Sequence, residues 1–398
     1  MPRPSTFLDW LGLDSEPSPA QKAVGFAVSQ NPPAQAVNWL LQTVDQWDKY
    51  VDDYILTTHA AASAAADAVA SQGMPYPLRE LAAASTMTFA SVSAAVDANG
   101  ALLHVLAVGA AGKTLRVDGL TSAIVSSTWG VATDCNDVAY GNGRYLGCGA
   151  GGVMRSSTDG TTWSAHYSVG GSSTLYTIAY SADRTVFCAV GSNNAGTGGT
   201  TIAGNGVAAP TARALPNASD IPRRVVWVGG AIQAFFAFSL TTVYRSDNPV
   251  TDAWVQVGTF GTLTTIFDAC WHPTIGIVAL GHNGGNMRYT RSVDGTTWTW
   301  TASGYSASPL NAALLALPDA IYIIVANGSL YAASIFRLDT NTSPDPVSWA
   351  DARYVLPVQP KRIKVLHNAV YAVGMRNSTD GSIYLGAPLE ALRSYSRG

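Results

Sequence analysis

The chain has 398 residues, of which 47% are hydrophobic and only 12% are charged. Globular domains average about 25% charged residues, and disordered chains are charge-rich and apolar-poor, so the bulk of this chain must fold. With 23 Lys+Arg against 26 Asp+Glu the net charge is -3, which excludes nucleic-acid binding through bulk charge.

No apolar run reaches the about 20 residues of a spanning helix. The start, Met1 to Thr6, lacks the charged-then-apolar layout of a secretory leader. The expectation is a protein made in a cytoplasm, without membrane insertion. Cys135, Cys148, Cys188 and Cys270 show no metal spacing and are expected as buried free thiols. The histidines form no metal motif, so neither a metal nor a cofactor is expected.

Residues 1–32 read as an extended arm. They hold Pro2, Pro4, Pro17 and Pro19, and the aromatics Phe7, Trp10 and Phe26 that seek a partner surface. Asn31-Pro32-Pro33 then signals a helix start. Beyond it Val37, Val44 and Val51 share one heptad position, and Leu40, Trp47 and Tyr54 share the other. A helix with so narrow an apolar seam must pack on something. Self-association into a parallel coiled-coil stalk over residues 33–72 is the economical expectation. A helix lying on its own domain is the alternative. Residues 73–84, with Gly73, Pro75 and Pro77, read as a linker.

The N-terminal layout is Pro4, Phe7, Asp9-Trp10, Lys22, Gly25-Phe26, Gln30 to Pro33, Asn38-Trp39-Leu40-Leu41, Trp47 and Tyr50-Val51. It resembles the N-terminal segment of tailed-bacteriophage tail-fibre and appendage proteins, over residues 1 to 55 only. The resemblance implies that Phe7, Trp10, Phe26, Pro32, Pro33 and Trp39 anchor the chain to other virion tail or portal-region proteins. It also implies that the helix begins a homotrimeric stalk. An extension packed on the following domain is the alternative.

From about residue 85 the sequence repeats with a period of about 44 residues. Ser157-Thr-Asp-Gly-Thr-Thr-Trp163 recurs as Ser292-Val-Asp-Gly-Thr-Thr-Trp298, three periods later. Weaker copies centre on Asp118, Asp247, Asp339 and Asp380, and one copy has lost its signature near Thr201 to Gly206. Upstream of each aspartate two short apolar runs flank a tight turn, as in Val138 to Tyr140, Gly-Asn-Gly, Tyr145 to Cys148. Each unit thus reads as four strands. Seven such units predict a seven-bladed β-propeller head over residues 85–398. Thr86 to Val92 is expected to close the ring by adding a strand to the last blade. Ser192 to Asn217 and Asn341 to Trp349 interrupt the repeat and are expected as long loops.

The motif Ser-x-Asp-Gly-x-Thr-Trp resembles the Asp-box of sialidase-like propellers, with one residue fewer between Asp and Gly. That resemblance makes Asp118, Asp159, Gly160, Trp163, Asp247, Asp294, Gly295, Trp298, Asp339 and Asp380 structural turn residues. It implies that the aspartates accept backbone N–H bonds and that the tryptophans pack between blades.

A sialidase mechanism requires a glutamate beside its tyrosine and a cluster of arginines. The chain has only Glu16, Glu80 and Glu390, expected outside the propeller body. Its repeat arginines, Arg116, Arg155, Arg245, Arg291, Arg337 and Arg376, are distributed around the ring. The remaining aspartates, Asp137 and Asp268 among them, are mostly expected at turns, so no catalytic residue is assigned. The expectation is a mainly β, non-enzymatic virion protein that attaches by its N-terminus and displays a head for a host-surface glycan. A purely structural collar, baseplate or capsid fibre and a glycan-cleaving propeller are the alternatives.

Overall fold

A computed structural model of the chain describes residues 79–84, 86–97, 101–119, 121–259, 263–284, 286–302, 311–317, 320–327, 332–339, 352–355, 359–366, 369–375 and 381–388. All belong to the second of the chain's two units, Gln72–Gly398. The expected arm and stalk lie outside the described residues, as does the expected loop at 341–349.

Among the described residues the strands form seven four-stranded antiparallel sheets. The first strand, β1 (Arg79–Ala84), belongs to the last sheet. The first sheet holds β2 (Phe89–Val96), β3 (Leu102–Gly109), β4 (Lys113–Asp118) and β5 (Ile124–Thr128). The second holds β6 (Cys135–Gly141), β7 (Arg144–Gly149), β8 (Val153–Ser157) and β9 (Ser164–Ser168). The third holds β10 (Leu175–Ser181), β11 (Val186–Ser192), β12 (Gly199–Gly204) and β13 (Thr211–Ala214). The fourth holds β14 (Arg224–Val228), β15 (Ala234–Phe238), β16 (Thr242–Ser246) and β17 (Val255–Thr259). The fifth holds β18 (Thr265–His272), β19 (Gly276–Asn283), β20 (Asn286–Ser292) and β21 (Thr299–Ala302). The sixth holds β22 (Asn311–Leu317), β23 (Ala320–Asn327), β24 (Ala332–Asp339) and β25 (Ala352–Val355). The seventh joins β26 (Gln359–Leu366), β27 (Ala369–Met375) and β28 (Gly381–Pro388) to β1.

The first strand of each sheet touches the first strand of the next, and β26 returns to β2. The sheets are therefore blades around a closed ring, and the fold is a seven-bladed β-propeller. Second strands are covered on both faces by neighbouring blades, so they read as continuous apolar runs. All of β11 and β15 is buried. Fourth strands lie at the rim with one face in water, and β5 and β13 accordingly alternate. Separate apolar clusters fill the gaps between successive blades. All four cysteines are free thiols: Cys135, Cys148 and Cys188 are buried and Cys270 is half-buried.

Three expectations need correction. The ring is closed by β1, within the segment expected as linker, and not by Thr86 to Val92. Phe89–Val96 is buried along almost its whole length, which demands the innermost place in a blade. The chain before it alternates at Leu81 to Ala84, which suits an edge, and pairs Ala82 with Ile383 and Ala84 with Gly381. Glu80 is consequently part of the propeller, on the outermost strand of the last blade opposite Tyr384. The stretch Ser192 to Asn217 is not one long loop, because it contains β12 and β13. Its small residues look like loop composition but suit a strand pressed between blades. A Cβ on Gly199 would stand 2.0 Å from the Asp220 carbonyl oxygen.

Candidate functional site

A propeller gathers side chains from all its blades only along its axis, which the inner strands line. In five of them the register slips just before one residue: Ser91 in β2, Asp137 in β6, Thr177 in β10, Asp268 in β18 and Arg362 in β26. Such bulges re-aim a side chain out of the ladder. Here Ser91, Asp137, Thr177 and Asp268 are aimed at the next blade. The Asp137 Oδ2 accepts the Ile178 N–H at 3.1 Å, the Thr177 Oγ1 accepts the Val225 N–H at 3.0 Å, and the Asp268 Oδ2 accepts the Leu314 N–H at 3.1 Å.

Charges from four blades complete this ring. Arg362 Nη1 donates to Asp268 Oδ1 at 2.6 Å, and its Nη2 stands 4.0 Å from Asp137 Oδ2. Lys364 Nζ, two residues along the same strand, donates to Asp137 Oδ1 at 2.9 Å and to the Val138 carbonyl at 3.1 Å. The Ser91 hydroxyl and the Val138 N–H also donate to Asp137. Arg224 in β14 donates its Nε to the Phe267 carbonyl at 2.7 Å and lies 4.0 Å from Asp268. Asp137, Asp268 and Arg362 are only 3%, 6% and 6% exposed.

Burial pushes the Asp137 carboxyl up, but Lys364, Arg362 and the Ser91 hydrogen bond outweigh it and bring it down to about 2. Burial likewise lowers Arg362, and the carboxylates of Asp268 and Asp137 outweigh that and raise it. A carboxylate so held is a permanent anion near neutrality, unsuited to proton transfer. The cluster ties the last blade to the second and the fifth. Asp137 and Asp268 therefore lie in strands and not at the turns expected for them. Asp97 and Asp134 do serve turns or loops, accepting the Ala101 and Ala111 N–H groups.

The repeat turns form a separate set at the rim. Asp159 Oδ1 accepts the N–H groups of Thr161 and Thr162 at 2.8 and 2.7 Å, and Asp294 Oδ1 accepts those of Thr296 and Thr297 at the same distances. In each, the preceding serine hydroxyl accepts the N–H of Gly160 or Gly295 at 2.8 Å. The backbone N–H bonds of Thr297 and Thr296 hold the Asp294 carboxyl well below the usual carboxylate range. Asp118 accepts from Thr121, and Asp247 pairs with Arg245 at 2.9 Å. Trp163 packs with Leu106 and Val108 of the first blade, and Trp298 with Phe236 and Phe238 of the fourth. Asp339 ends β24. Asp380, the anchor residues Phe7, Trp10, Phe26, Pro32, Pro33 and Trp39, and the seam residues Val37, Leu40, Val44, Trp47, Val51 and Tyr54 lie outside the described residues.

The signature missing from the third blade has a structural counterpart. Asn205 Oδ1 accepts the N–H groups of Val207 and Ala208 at 2.9 and 3.0 Å, and Gly206 follows with φ 79, as Gly160 and Gly295 follow with 75 and 73. An Asn-Gly pair was the signal for it in the sequence. Among the described residues no three His, Cys, Asp or Glu side chains gather as metal ligands would.

The sequence matches no protein-family model and no curated protein. Solved structures do resemble it. The WD40 β-propeller domain of Doa1 is 13% identical with a TM-score of 0.53, over 78% of this chain and 97% of that one. The β-propeller domain of Cps50 (Swd1) from Myceliophteria thermophila is 12% identical with a TM-score of 0.53, over 77% and 99%. YCF48 from Cyanidioschyzon merolae is 15% identical with a TM-score of 0.51, over 79% and 99%. At these identities the likeness concerns the fold alone. It is the β-propeller fold.

Proposed function

We propose that this chain is a bacteriophage tail fibre or similar appendage. Its N-terminal arm attaches to the particle, its stalk brings three copies together, and its propeller head binds a host-surface glycan without cleaving it. The order of arm, heptad seam and head along the sequence supports the first two parts, together with the resemblance carried by residues 1 to 55. The turns at Asp159 and Asp294 are consistent with the likeness to Asp-box propellers. One observation carries the preference for binding over hydrolysis: Asp137 and Asp268, which among the described residues are the carboxylates of the axial cluster, are held by Arg362, Lys364 and backbone N–H groups. Glycoside hydrolysis needs a pair of carboxyl groups free to face the sugar. Three heads on one stalk would multiply a weak contact by avidity.

Deletion of residues 1–32 tests the attachment. The shortened chain should be absent from purified particles while its head still binds host cells. Particles that incorporate it normally would sink the proposal. The molar mass of the full chain in solution checks the trimer, and a monomer at micromolar concentration would count against the stalk.

A further inference from the structure

The third blade departs from the repeat in a way that opens a groove. In the second and fifth blades the turn aspartate is followed four residues later by a tryptophan that packs on the preceding blade. In the third blade Asn205 stands for the aspartate and Ala209 for the tryptophan. Both line a groove of about 520 Å³, bordered by turns from three successive blades. Asn142 comes from the second blade, Arg184 from the third and Asn248 from the fourth. The lost indole leaves room, and the change from Asp to Asn removes the negative charge that this turn carries elsewhere.

The hydrogen bonding sets the polarity of the groove. Asn205 Oδ1 is taken by Val207 and Ala208, and Asn248 Oδ1 by the Val250 N–H at 3.2 Å. Each amide nitrogen is left without a protein acceptor among the described residues. Arg184 donates Nη2 to the Gln233 carbonyl at 3.3 Å, while its Nε is buried with no partner. Among the described residues the lining contains one cation, several donors and no carboxylate. Val186 and Val250 add a small apolar surface. A ligand that matches must bring acceptors, a negative charge and some C–H surface.

We propose that this groove binds a carboxylate-bearing saccharide. Arg184 faces the carboxylate, and the Asn205 and Asn248 amides donate to sugar oxygens. The proposal rests on the reading of the head as a glycan binder and locates its site away from the axis.

Calorimetric titration of the full chain tests it, with trigalacturonate and sialyllactose as acidic probes and galactotriose and lactose as neutral counterparts. An acidic probe should bind, and its neutral counterpart should bind about tenfold more weakly or not at all. Arg184→Gln should weaken the acidic probe by about tenfold. Asn205→Asp keeps the turn chemistry of the second and fifth blades but returns a carboxylate to the groove, so it should abolish binding with an unchanged unfolding temperature. Acidic binding unaffected by both substitutions would overturn the groove and leave the glycan-binding head standing. Equal binding of neutral and acidic probes would overturn the charge assignment. No binding of any saccharide would remove both readings.

Discussion

The Arg362 guanidinium lies 2.6 Å from the Asp268 carboxylate, although the two belong to the seventh and fifth blades, which are not neighbours. The side chain passes the sixth blade, where small Ala313 precedes the Leu314 N–H that Asp268 accepts. Lys364 similarly reaches past the first blade, where Ser91 is small, to Asp137 in the second.

Arg362→Met should destabilise the fold by about 3–5 kcal/mol, because it leaves a buried carboxylate without its cation. Combining it with Asp268→Leu should recover part of the loss, since a pair replaced by apolar groups leaves no stranded charge. Denaturant unfolding of the two single variants and the double variant measures the coupling. Strict additivity would contradict the buried pair.

Asp137 makes stability depend on acid. Its carboxyl is lowered from 3.8 to about 2 in the folded chain, so the stabilisation is complete above the unfolded value and disappears as pH falls through the folded one. The window runs from about pH 4 to about pH 2 and amounts to about 2 kcal/mol. Thermal unfolding across that window should lose more stability in the native chain than in Asp137→Asn. Parallel profiles would refute the assignment.

Gly160 and Gly295 occupy the same turn in two blades with φ of 75 and 73, so alanine is strained at both. Their surroundings differ. A Cβ at Gly160 would meet the Tyr145 ring at 3.4 Å, an ordinary contact, whereas at Gly295 it would meet the Phe236 ring at 2.5 Å. Gly160→Ala should cost about 1 kcal/mol and Gly295→Ala clearly more, by overpacking an inter-blade seam. Unfolding midpoints of the two variants give the comparison.

Ala82 in β1 is 4% exposed and packs with Val373 and Ile383 of the last blade and Val92 of the first. Ala82→Asp should place an unpaired carboxylate in the closing seam and cost several kcal/mol. Ala83→Asp, one residue along on the exposed side, should change little. Hydrogen exchange in β28 should accelerate in the first variant only.

The repeat was legible because each blade reuses one local device. An Asx-type turn and a tight hairpin need particular residues at particular offsets, so Asp159 and Asp294 announce themselves in any blade that keeps them. Even the silent copy keeps Asn205-Gly206, which satisfies the same geometry with an amide. The axial cluster left no such trace. It takes one or two residues from each of six blades, and the types differ: Ser91, Asp137, Thr177, Arg224, Asp268, Arg362 and Lys364. Nothing local distinguishes Asp137 from a turn aspartate until the bulge and the neighbouring blade are in place.

The sequence by itself determined the blade, its period and the number of copies, because hairpin and turn chemistry are satisfied within about 44 residues. Only the tertiary structure decided which strand closes the ring, which charges meet at the axis and where a groove opens. Those depend on contacts between blades. β1 meets β28 across nearly the whole propeller sequence, and Lys364 meets Asp137 over a separation of 227 residues. Distances of that kind are set by the curvature of a closed ring, which no single blade encodes.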